Sequence, residues 1–205
     1  MSIVKLNNRG VRSVTAFGSL SSGSMTFIKK LTASSSATLS FVDGTSDVVL
    51  DDTYKEYLFT FNNVHPATDA AELGFQANAA GGSGFDETIT STYFRAVHDE
   101  ADSANTLNYD ATRDQAQATG FQEIASDIGN ENDQSASGYL HLFNPSSTTF
   151  VKHFILRSSV YIADTGARDQ FVAGYFNTTS AIDEIQFKMS SGNIDAGDIC
   201  LYGIL

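Results

Sequence analysis

The chain has 205 residues, of which 24 are acidic and 12 basic, giving a net charge of −12. Such a balance argues against wrapping DNA or RNA, which needs a dense basic surface. A single cysteine excludes an intrachain disulfide. Two prolines and aperiodic glycine exclude a collagen-like stalk, and no apolar run is long enough for a membrane-spanning helix.

Residues 1–24 are rich in Ser, Asn and Gly and lack strand periodicity, so they read as an N-terminal arm preceding a domain over 25–205. Val11, Val14 and Phe17 are spaced by three, as in a short helical turn or a loose arm. Lys5, Arg9 and Arg12 cluster there without acids. They read either as a solvated segment or as a basic tether for an acidic neighbour, an adjacent copy included. Met1-Ser2-Ile3-Val4-Lys5 has no signal-peptide apolar core, which implies synthesis in a cytosol and departure by assembly into a particle.

From Met25 the pattern firms. With 15 Phe and 8 Tyr, the composition favours pleated surfaces. Strands are predicted over 25–31 and 37–42, with a short one over 48–50. Residues 54–64 form the clearest early strand, with Tyr57, Phe59 and Phe61 on one face, and Pro66 stops it for want of a ladder donor. Strands over 73–77 and 89–97 flank the Gly81-Gly82-Ser83-Gly84 loop, and 99–105 reads as an exposed acidic crest. Residues 113–128 are either the one helix of the chain or a loop leading into a strand over 120–124. Residues 138–162 predict a long hairpin around Asn144-Pro145-Ser146-Ser147. A strand over 171–176 follows. Ile185, Phe187 and Met189 then alternate with polar residues, and a last apolar run starts at Ile199, across a turn containing Gly192 and Asn193. Eight to ten strands with regular turns predict an all-β, jelly-roll-like antiparallel β-sandwich.

Two segments carry a resemblance. Ile185, Phe187, Ser191-Gly192-Asn193-Ile194, Gly197, Ile199 and Leu201-Tyr202-Gly203-Ile204 match an I-x-F-x-x-x-S-G-N-I-x-x-G-x-I-x-L-Y-G-I ending. Tyr54, Tyr57, Phe61, Val64, Pro66 and Asp69 match an accompanying Y-x-x-Y-x-x-x-F-x-x-V-x-P-x-x-D pattern. Both resemble a β-sandwich domain of virion structural proteins of tailed bacteriophages. The resemblance implies a scaffold and a virion location, as a capsid decoration or a tail-associated adaptor or fibre protein. It implies other virion proteins as partners and a homo-oligomer, with a trimer favoured by analogy. The alternative is a module of the phage tail that binds a carbohydrate or host receptor, with a host surface glycan as its partner.

No cofactor, catalytic residue or metal site is expected. His141 and His153 fall on the two arms of the predicted hairpin, where they read as cross-strand neighbours, but no third ligand is in phase. Asp99, Glu100 and Asp102 crowd within four positions of a polar stretch, unlike the separated pair of a glycosidase. Asp127, Asn130, Asn132 and Asp133 supply oxygen in one loop without the spacing of a calcium loop. Cys200, between Ile199 and Leu201, reads as a small buried hydrophobe. The arm's Lys5, Arg9 and Arg12 are the candidate partner-binding residues.

Overall fold

Thirteen antiparallel strands and no helix make up residues 24–205, which the computed structural model describes. The candidate tether residues Lys5, Arg9 and Arg12 lie outside the described residues. The strands are β1 Met25–Thr32, β2 Leu39–Val42, β3 Glu56–Pro66, β4 Ala71–Ala79, β5 Ile89–Asp99, β6 Asn105–Tyr109 and β7 Ala116–Ala118, followed by β8 Gln122–Ile128, β9 Ala136–Phe143, β10 Lys152–Ile162, β11 Gly166–Phe176, β12 Ile182–Met189 and β13 Ile194–Ile204.

Eight of them form one long hairpin that is rolled up. β1 pairs with β13, β2 with β12, β3 with β9 and β4 with β8. Rolling brings β13 beside β3 and β12 beside β4, so one layer runs β1-β13-β3-β9 and the other β2-β12-β4-β8. This is the double-layer jelly roll expected from the strand spacing. Two insertions enlarge the first layer. β10 and β11, and then β5 with β6 and β7, continue it outward as β9-β10-β11-β5. Strand pairing passes from one layer to the other at Ile162 and Ile128, flanked by bonds from Gly129 N–H to the Tyr161 carbonyl and from Ala163 N–H to the Asp127 carbonyl.

Period-two alternation explains the layers. On β10, Phe154, Leu156, Val160 and Ile162 are buried while His153, Ile155, Arg157 and Ser159 face out. Tyr57, Phe59, Phe61, Leu140, Leu142, Ile185, Phe187 and Leu201 are fully buried, as their alternation predicts. Phe41 on β2 meets Phe59 on β3 edge-on at 5.2 Å, and Phe75 on β4 meets Phe154 on β10 at 5.1 Å. These strands are not neighbours in either layer, so the contacts are made across the sandwich.

Several predicted elements shift. Residues 113–128 hold β7 and β8 rather than a helix. The turn in which Arg113 and Asp114 donate to the Asp110 carbonyl goes no further, and Gln117 at φ 55° breaks it. Residues 48–50 form no strand, because Leu50 N–H donates to the Asp43 carboxylate and Gly44 N–H to the Val48 carbonyl within one local loop. β6 and β7 are exposed throughout, so no alternation announces them. β13 begins at Ile194 rather than Ile199.

The two segments that carry the resemblance interlock. β3 and β13 lie side by side, with Leu58 opposite Tyr202 and Phe61 opposite Ile199. Both strands bulge where they face each other: Asn63 sits at φ 50° and Gly197 at φ 114°. A Cβ on Gly197 would lie 2.7 Å from both the Asn63 carbonyl oxygen and the Val64 Cα, so a side chain is excluded there. Likewise the Tyr54 ring occupies the space of a Gly203 side chain. These motif positions secure the sandwich.

Candidate functional site

The residues that sequence reading marks as chemical do not converge. His141 stands opposite Ile155, not His153, and its Nδ1 lies 3.7 Å from Glu56. The Asp99 carboxylate accepts from Ser103 and Ala104 backbone N–H at 2.8 and 3.0 Å, closing the β5–β6 turn. Asn130 N–H donates to Asp69, while Asp127 turns away from that loop into the sandwich. Among the described residues no three His, Cys, Asp or Glu side chains group as metal ligands. Cys200 is buried, as its apolar neighbours imply.

Two other arrangements stand out, on the two faces of the β9-β10-β11-β5 extension. The inward face carries charge. Asp127 accepts from Arg113 Nη2 at 3.1 Å and from Arg168 Nη1, with Arg95 Nη1 at 3.8 Å. Arg95 also holds Asp110 at 3.0 Å, and Arg113 Nη1 holds Glu72 at 2.8 Å together with Glu123. A bulge in β8 makes this possible. Asp127 sits at φ 54°, and the register with β4 slips between the Ala71–Ile128 and Leu73–Ala125 pairs. The bulge re-aims Asp127 inward beside Ser126, which bonds Arg168 and Gln170.

Burial and charge compete within this cluster. Burial pulls the Arg113 guanidinium down, but its hydrogen bonds to Glu72 and Glu123 and the nearby charges outweigh that and hold it above its ordinary value. Burial pushes Glu123 up despite its bond to Arg113. For Asp110, burial is overcome by bonds from Thr112 and by Arg95 and Arg113, and its carboxyl is held below the usual value. Burial pushes the Tyr93 phenol up to about 12. Glu72 and Glu123 share one guanidinium, and the space between them and Lys188 is only about 110 Å³. Each of these carboxylates, Glu72, Asp110, Glu123 and Asp127, is engaged by arginine.

The outward face is apolar and exposed. Directly opposed residues form cross-strand rows, and one row is Tyr139, Arg157, Phe171, Phe94 and Tyr109 across β9, β10, β11, β5 and β6. Phe94 and Phe171 stack in parallel at 4.8 Å, and the Arg157 guanidinium lies 4.6 Å from the other side of Phe171. Arg157 also reaches diagonally to Asp169 with two bonds, 2.9 and 2.6 Å. This row is a ridge. On one side lies a depression of about 470 Å³ floored by Ser137, Gly138, Ser159, Ala96 and Ala167. On the other, small Ala173 and Thr92 with Ile155 bound a second of about 430 Å³. Farther along the same layer Phe27 packs edge-on against Tyr202 at 5.6 Å, and both Met25 and Phe27 are over half exposed.

Among the described residues the large exposed hydrophobics lie on strands, except Phe150 and Leu205. The signal was present in the alternation of β10, where Ile155 falls on the polar phase of the strand. Comparison with family models, with curated proteins and with solved structures finds no match.

Proposed function

We propose that this chain is a non-enzymatic structural component of a tailed-phage virion, a capsid decoration or a tail-associated adaptor or fibre protein, and that it assembles as a homo-oligomer. The observation that carries the reading is the interlock of β3 and β13. The residues that resemble phage sandwich domains are the ones whose bulges, glycines and tyrosines close the jelly roll against itself. The outward apolar face supplies the surface that a virion part needs for its neighbours. The basic arm, whose Lys5, Arg9 and Arg12 contrast with a body holding all 24 acids, supplies a tether to an acidic partner.

A second reading, a module that binds host surface glycan, draws on the depression rimmed by Tyr139, Asp169 and His98, which offers a ring edge and both donors and acceptors. Quantitative mass spectrometry of gradient-purified particles tests the first. A decoration is present in many copies per particle and a tail part in few, whereas absence from purified particles sinks the reading. Removal of residues 1–24 should leave the sandwich folded and abolish incorporation; normal copy number of the shortened chain shows that the arm is no tether.

A further inference from the structure

We infer that the outward face of β9, β10, β11, β5 and β6 seats a second copy of this chain, packed face to face so that each copy's aromatic ridge lies in the other's trough. The inference rests on the reading of the chain as an assembling structural protein and specifies the surface it assembles through.

Relief is the first argument. Cross-strand rows repeat every two residues, about 6.7 Å along a strand. The Tyr139–Arg157–Phe171–Phe94 ridge and the neighbouring row of Ser137, Ser159, Asp169 and Ala96 are adjacent rows of one lattice. A two-fold axis lying between the two sheets, parallel to the rows and midway between ridge and trough, therefore sets ridge against trough on both copies at once, which is the self-complementarity of an isologous contact.

Charge is the second. On a chain of net charge −12, this face carries one arginine and one carboxylate, and they hold each other at 2.6 Å. Two copies repel across most of their surfaces and least across this one. Aromatic enrichment with charge depletion is the composition of an interface centre.

Size is the third. β5, β10 and β11 each run 11 residues. With β9 and β6 at 8 and 5 residues, strands about 4.8 Å apart that rise about 3.3 Å per residue offer on the order of 700 Å² per copy, close to the roughly 800 Å² a standard interface buries on each partner.

The other occupants fit less well. A sugar stacks on an open ring face, but Phe94 and Arg157 cover both faces of Phe171. The basic arm has its complement in the acidic loops, such as Asp99, Glu100 and Asp102, not on this neutral sheet.

Sedimentation of the full chain tests the inference. A concentration-dependent dimer is expected in the micromolar range. Ser159→Arg, from an exposed position, and Ala96→Arg, from a half-buried outward one, each place a charged side chain in the trough and should weaken dimerisation at least tenfold without moving the melting temperature of dilute, monomeric protein. Thr149→Arg in the β9–β10 loop should leave it unchanged. Oxidative footprinting of unmodified protein reads the same face without substitution, and Tyr139 should become protected as concentration rises. A monomer at 100 μM, or a dimer or trimer that leaves Tyr139 unprotected and is indifferent to both arginine variants, overturns the inference. So does a dimer lost on removal of residues 1–24 but kept by the trough variants, which gives the contact to the arm. A monomer retained by a glycan array and released by Ser159→Arg assigns the face to saccharide and likewise overturns it. A monomer also removes the homo-oligomer from the proposed function, but none of these results bears on whether the chain is found in particles, so the virion reading stands or falls on its own test.

Discussion

The space between the two layers is filled in two different ways. Under the rolled-up hairpin and the adjoining ends of β10 and β11 it is aromatic: Phe41, Phe59, Phe187, Phe75, Phe154 and Phe176 form a connected chain of ring contacts at 5.1–6.3 Å, mostly edge to face. Under the β11-β5 extension it is polar, with Arg95, Arg113 and Arg168 set among Glu72, Asp110, Glu123 and Asp127. The difference follows from cover. The hairpin half has four strands on each side, whereas only β8 and the 110–120 connection close the extension. Water reaches that margin, and Glu72, Glu123 and Asp127 keep between 25% and 32% of their side-chain surface. Ion pairs tolerate such a margin and phenylalanine does not. Apolar packing is non-directional, so the first half depends on volume. The second depends on each charge finding its partner, because an unpartnered buried charge is costly.

The largest effect that separates the halves is a break in the hairpin itself. Deleting Ile199–Leu205 removes the part of β13 that pairs on both sides, with β1 and with β3, together with buried Ile199 and Leu201. The loss exceeds the stability of a domain of this size, commonly about 5–15 kcal/mol. The shortened chain should be insoluble or show no cooperative melting transition. A soluble product with an unchanged transition shows that β13 does not close the roll.

Next in size is Phe75→Ala. Its ring touches Phe154, Phe176 and Phe187, and the cavity left behind should cost about 3–5 kcal/mol in urea unfolding, with little dependence on pH or salt. Arg113→Met attacks the other half and should cost about 2–3 kcal/mol, reduced from the cost of a fully buried pair because the carboxylates stay partly wet. Its mark is the opposite dependence. Without Arg113 the four acids repel, and acidification neutralises them, so the gap from wild type should narrow as pH falls from 7 toward 4. A gap that stays constant places the loss in packing.

Much of the hairpin half was legible and little of the extension was. Alternation in Tyr57-Leu58-Phe59-Thr60-Phe61 and in Ile185–Met189 reports one buried face directly, since an apolar layer leaves its period in the chain. On β5 and β11 the inward period is broken, because Ser91, Arg95, Arg168 and Gln170 read as surface residues although they lie between layers. Asp127 was legible only as an acidic loop residue. Its inward turn depends on a bulge whose register is set by β4, about fifty residues earlier. β6 and β7 were hidden because both of their faces are exposed. The apolar outward face was legible as aromatic content but not as a place, since its cross-strand rows join residues as far apart in the chain as Phe94 and Phe171.

The smallest effect is also the most specific to the polar half. Asp110 and Glu123 are shifted in opposite directions by one cluster. The folded-state carboxyl of Asp110 lies below its ordinary 3.8, so its ionised form contributes stability at neutral pH, and that contribution is lost as pH falls through the folded value. Glu123 lies above its ordinary 4.5, so the folded state takes up its proton first. Its ionised form is a penalty at neutral pH, and acidification relieves it. Melting temperatures measured from pH 7 to pH 3 should separate the two. Relative to wild type, Asp110→Asn should be destabilised at pH 7 and converge with it below about pH 4, because the wild type then loses what the variant never had. Glu123→Gln keeps the shape and one acceptor without the charge. Its difference from wild type should become less favourable as pH falls through the Glu123 folded value, because only the wild type gains from protonation there. Parallel curves for the two variants mean that burial and pairing do not divide these carboxylates, and that the extension is held together like the rest of the sandwich.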